Sequence, residues 1–162
     1  MKKLIFTMMA VTLLLVGCGA KKEEAVNVPV SEIMNAIKEK GEYVMGFEEI
    51  NLKQDTDTAG KLNIDPASIE EGMLLRSMIN IRADEIIILK AQDASKIEDL
   101  KKALDDEIAN LDQIWSTYLP QEYEKVQHHI IKQQGNYLIL IVADNPETLE
   151  KIFMDKLAPD SK

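Results

Sequence analysis

Apolar residues recur along this chain at two spacings, and the change from one to the other marks its elements. From Ser31 to Lys40, Ile33, Ala36 and Ile37 lie three or four apart, which predicts a helix with Ser31 as N-cap and Gly41 just beyond its end. From Ala94 to Tyr118 the same spacing places Ile97, Leu100, Leu104, Ile108, Leu111, Trp115 and Tyr118 on one stripe, the clearest helical signal in the sequence. Ser95 and Glu98 have capping-box spacing, Asp93 competes as N-cap, and Pro120 bars continuation. Elsewhere the apolar residues run together. Met73–Ile81 and Glu85–Ala91 read as strands joined by Arg82-Ala83-Asp84. The unbroken run Ile86–Leu89 suits a strand covered on both faces. Val126–Gln133 and Asn136–Ala143 read as a hairpin about Gln134-Gly135, with Tyr137–Val142 at the centre of a sheet. Asn145-Pro146 opens a last helix that turns Leu149, Ile152, Phe153 and Leu157 inward and ends by Pro159. Asn51–Lys61 is polar and turn-rich, and Asp65-Pro66 opens a short helical turn through Glu71.

Strand pairs separated by helices predict an α+β fold. The expected architecture is a mainly antiparallel sheet of about four strands, with the long amphipathic helix and the C-terminal helix packed on one face. Residues 31–162 would form this single domain.

The first residues follow a different logic. Lys2 and Lys3 precede Leu4–Val16, apolar except for Thr7 and Thr12. As a helix this run spans roughly 20 Å, short of the ~30 Å hydrocarbon core, and suits a secretory h-region better than a membrane span. Leu15-Val16-Gly17-Cys18 follows and resembles the bacterial lipobox, which implies diacylglycerol on Cys18 and cleavage after Gly17. Residues 1–17 would then be a signal peptide, and residues 18–30 a lipidated cysteine and tether containing Pro29. Cys18 is the only cysteine of the 162 residues, so lipidation would leave no thiol for a disulfide, a metal or a nucleophile.

Charge narrows the partners. Nineteen basic residues face 28 acidic ones, a net −9, and loss of Lys2 and Lys3 would deepen the imbalance. Such a surface disfavours nucleic acid and anionic headgroups. The expected partners are a membrane, through the lipid alone, and an envelope protein.

Candidate chemistry is sparse. Asp55, Asp57 and Gly60 partly fit a calcium loop, but Ala59 stands at a ligand position and Pro66 where the bidentate Glu belongs. His128 and His129 are adjacent, and on a strand their side chains would diverge, so they could not share one ion. Asp84 and Glu85 are paired carboxylates at a strand start, where Asp84 suits a turn role bonding nearby amides. Trp115 and Tyr118 continue the apolar stripe as core or contact residues. No nucleophile elbow, phosphate loop or zinc-helix pattern is present, and no metal or cofactor is expected.

Four segments in order carry a family resemblance: Asn63-Ile64-Asp65-Pro66, then Ala83-Asp84-Glu85 with Ile86–Lys90 behind it, then Tyr118-Leu119-Pro120, then Gly135-Asn136-Tyr137-Leu138. Across roughly Val30 to Leu157 the chain resembles domain-of-unknown-function family 4358, small lipoproteins of Gram-positive bacteria. The resemblance implies a surface lipoprotein on the outer face of the cytoplasmic membrane, and no catalytic residues. The function expected is a non-enzymatic binding module. The alternatives are an envelope hydrolase using His128 or His129 with a carboxylate, and solute capture for a transporter.

Overall fold

A computed structural model describes residues 27–41 and 46–159. The central strands set the architecture. β3 (Glu85–Ala91) and β5 (Tyr137–Val142) are buried along their whole length. A strand that is apolar on both sides must be covered on both sides, and this one is. Five strands pair antiparallel in the order β1-β2-β3-β5-β4, with β1 at Phe47–Asn51, β2 at Ile69–Ser77 and β4 at Ile130–Gln134.

Alternation along the strands divides the core in two. Leu75, Ile86, Ile88, Tyr137, Ile139 and Ile141 meet α1 (Val30–Gly41) and α5 (Pro146–Lys156). Phe153 of α5 is fully buried there, a side chain whose transfer from water contributes about 2 kcal/mol. On the opposite face Leu74, Ile87, Leu89, Leu138, Leu140 and Val142 meet α3 (Ile97–Trp115), α4 (Pro120–Gln127) and the short α2 (Thr56–Lys61). Gly72 is closely packed on this second face, since a Cβ there would sit 2.9 Å from Ile69 Cδ1 and 3.3 Å from Leu52 Cβ.

The α+β class and antiparallel sheet match the sequence reading, with three corrections. There are five strands rather than about four, because the edge strand β1 falls between the first helix and the turn-rich Asn51–Lys61, where the sequence pattern predicts no element. Helices cover two faces rather than one, as β3 and β5 require. Residues before Ser31 pack on the domain: Val30 is fully buried, its N–H donates to Glu71 Oε2 at 2.8 Å, and Lys90 Nζ donates to Asn27 Oδ1 at 2.7 Å. The end of the expected tether is therefore part of the domain.

Local boundaries move for identifiable reasons. Asp65 caps as expected, accepting from Ala67 N–H at 2.9 Å, but the turn stops at Ser68 because Ile69 begins to pair with Ala91. Asp93 wins the capping contest, accepting from the Ser95 N–H and hydroxyl. β2 runs from Ile69 to Ser77 rather than to Ile81, and Met78, Ile79 and Ile81 are exposed. Gly135 opens the β4–β5 turn with φ +57°, a conformation open to glycine at little steric cost.

Candidate functional site

The segment Arg82-Ala83-Asp84 leads into β3 at the end of the sheet opposite Asn27. The Asp84 side chain is only 2% exposed, and its carboxylate accepts from Arg82 Nε at 3.1 Å and Nη2 at 3.2 Å. Lys125 of α4 completes the cluster, with Nζ 3.1 Å from each of Asp84 Oδ2, Glu122 Oε2 and Asp144 Oδ1. Glu122 also accepts the Ala83 N–H at 2.8 Å. Burial works against the Lys125 charge, but hydrogen bonds to Glu122, Asp144 and Asp84 outweigh it and raise the ammonium above its ordinary range. Asp84 thus bonds two cations rather than the nearby amides its turn role suggests. The cluster ties α4, the β2–β3 connection and the end of β5 together.

Glu85, one residue on, points to the other side of the strand, as alternation requires. Cross-strand register sets Glu48, Arg76 and Glu85 in one row over β1, β2 and β3, with Val142 of β5 beyond. Arg76 is engaged with Glu48, donating to Oε2 from Nη2 at 3.0 Å and Nε at 3.2 Å. Above the row, α3 brings in Glu107, which is 9% exposed and accepts from Asn110 Nδ2 at 3.3 and 3.4 Å. Glu85 is 7% exposed, and its buried Oε1 has no hydrogen-bond partner. Burial first, and then the Glu107 charge, push the Glu85 carboxyl up to about 8, with Arg76 opposing. Burial also raises Glu107, against the Asn110 hydrogen bond and Arg76. Two acids in a poorly hydrated space, one with an oxygen unbonded, can hold a proton or a compact cation.

Glu107 and Arg76 are absent from the sequence-derived candidates. A signal for Glu107 was there: it stands three residues after Leu104 and four before Leu111, an acid set into an apolar stripe. Arg76 gives no such signal, since it falls within an alternating strand.

The other candidates are accounted for locally. His128 and His129 do not lie on a strand; they close α4, whose C-cap is His128, and β4 starts only at Ile130. Their rings turn back on the helix, with Nδ1 2.7 Å from the Glu124 carbonyl for His128 and 2.7 Å from the Val126 carbonyl for His129. Asp55 caps α2, accepting from Thr58 N–H at 2.9 Å, and Asp57 pairs with Lys61 at 2.7 Å. A helix therefore replaces the calcium-loop pattern. Trp115 is buried and Tyr118 exposed, their ring centroids 5.7 Å apart. No group of three or more His, Cys, Asp or Glu suited to a metal ion occurs among the described residues. Gly17 and Cys18 lie outside the described residues.

Residues 44–143 match a family model described as Domain of unknown function (DUF4358). The chain belongs to this family. Searches of curated proteins and of solved structures gave no match. The DUF4358 segment spans all five strands with α2, α3 and α4, and so contains the Glu85–Glu107 pair and all of the Asp84 cluster except Asp144. The α1 and α5 layer lies outside the DUF4358 segment.

Proposed function

We propose that the chain is a lipid-anchored bacterial envelope lipoprotein, on the outer face of the cytoplasmic membrane, whose domain acts as a non-enzymatic binding module. The anchor rests on Leu15-Val16-Gly17-Cys18 following the short apolar run. Among the described residues no helix is long and apolar enough to cross a membrane. The observation that carries the binding reading is that the candidate acid–base groups of the sequence are tied to structural partners, with Glu85 as the exception. Both histidines face backbone carbonyls through Nδ1, and among the described residues no ion pair joins either to a carboxylate.

The test is Cys18→Ser in cells fed a labelled fatty acid. The expected result is loss of label and release of the protein from the membrane fraction, since two acyl chains give stable attachment and none gives little. Continued membrane retention of the variant would point to an uncleaved apolar helix and overturn the anchor. For the domain, crosslinking in intact cells should trap a neighbour that a surface-scrambled variant does not.

A further inference from the structure

We propose that Glu85 of β3 and Glu107 of α3 form a binding site for a primary ammonium group. The inference rests on the reading of the domain as a binding module and names the chemistry it would bind. Two acidic residues alone would not carry it. The second observation is the Glu85 carboxyl itself, 7% exposed and with Oε1 unbonded. A buried acceptor without a donor is destabilising, and a donor that enters satisfies it.

The surroundings supply no such donor in this arrangement. From β2, Arg76 faces the pair, but its guanidinium is engaged by Glu48 of β1. From α3, the Asn110 amide is bonded to Glu107. From β5 the register neighbour is Val142, which offers none.

Three features select the ligand. Two carboxylates fall far short of the six to eight oxygens that calcium takes. The low exposure of both residues favours the compact ammonium, with its three donors, over the wide planar guanidinium. The chain's net −9 charge favours approach of a cation. Because Glu85 holds its proton near neutral pH, entry of the ammonium releases that proton, and binding carries a proton count that general surface attraction does not.

Isothermal titration of the full chain in neutral detergent, near pH 7 and in buffers of different ionisation enthalpy, tests this. The probes are acetyl-Gly-Lys-Gly-amide and spermidine, with the Nε-acetylated peptide as control. The expected result is saturable binding of one or both probes, with release of roughly one proton. Glu85→Gln and Glu107→Gln should each weaken it about tenfold or more, as loss of a charged hydrogen-bond partner does. Glu98→Gln, on the exposed start of α3, should leave it unchanged. Binding of the peptide alone assigns the ammonium to a protein side chain; binding of spermidine alone assigns it to a free polyamine. No saturation with either probe, saturation without proton release, or equal affinity in Glu85→Gln would overturn the proposal. The Cys18→Ser result is independent of all of these.

Discussion

The Tyr137 hydroxyl closes a two-way bond with Val28, accepting its N–H at 3.0 Å and donating to its carbonyl at 2.8 Å, across 109 residues of sequence. One side chain of a central strand thus fixes the point where the chain joins the domain. Tyr137→Phe removes both bonds and leaves the ring. The expected cost is on the order of 1–3 kcal/mol, read as a lower urea midpoint. Amide exchange at Val28 should rise by more than the global loss accounts for.

Glu85 makes stability fall as pH rises. Its ordinary value is 4.5 and its value in the fold is about 8. Between these limits the unfolded chain has released the proton while the folded chain retains it. Stability from this group is therefore full below the lower value, declines across the window and is flat above the upper one. Glu85→Gln, which has no proton to lose, should match the wild type near pH 4 and exceed it near pH 8 by on the order of 4 kcal/mol. Urea unfolding of both proteins across this range is the measurement. Parallel pH curves would refute the assignment.

Asp84 behaves oppositely under substitution, because its charge is paired. Asp84→Asn turns one of the two oxygens that accept from Arg82 into an NH2 donor, and removes one of three carboxylates from Lys125. Breaking a buried pair from one side costs about 3 kcal/mol. A double-mutant cycle with Lys125→Met should give coupling of about 1 kcal/mol or more, the mark of direct contact.

The layer outside the matched segment is also required. A chain lacking the residues through Gly41 uncovers the face that holds Leu75, Ile86, Ile88, Ile139 and Ile141. It should bind a hydrophobic dye and lose its cooperative unfolding transition.

How much of this the sequence discloses depends on where each element gets its stability. β3, β5 and α5 are written in local apolar pattern, and the bounds of β3 read from sequence coincide with those observed. β1, by contrast, has only Phe47 and Ile50 as apolar residues among five, and is held by its pairing with β2. Such a strand cannot be read without its neighbour. Pro120 does bar continuation of α3, which ends at Trp115, but it is also the first residue of α4, a position where its missing N–H costs nothing. That second role places His128 and His129 at a helix end rather than on a strand. Cross-strand rows such as Glu48-Arg76-Glu85 depend on register, which local periodicity does not contain.

α1 lies between residues 27–29, clamped to the central strands, and the rest of the fold, and it packs beside α5, where Lys156 Nζ reaches Glu32 Oε1 at 2.8 Å. In time, this means that, among the described helices, the first to be synthesised waits for the last. Until α5 has emerged, the apolar face of α1 lacks its neighbour and the second layer is incomplete. The domain is therefore built to finish folding after nearly its whole length has been made, and α1 is exposed to misfolding for longer than any later element.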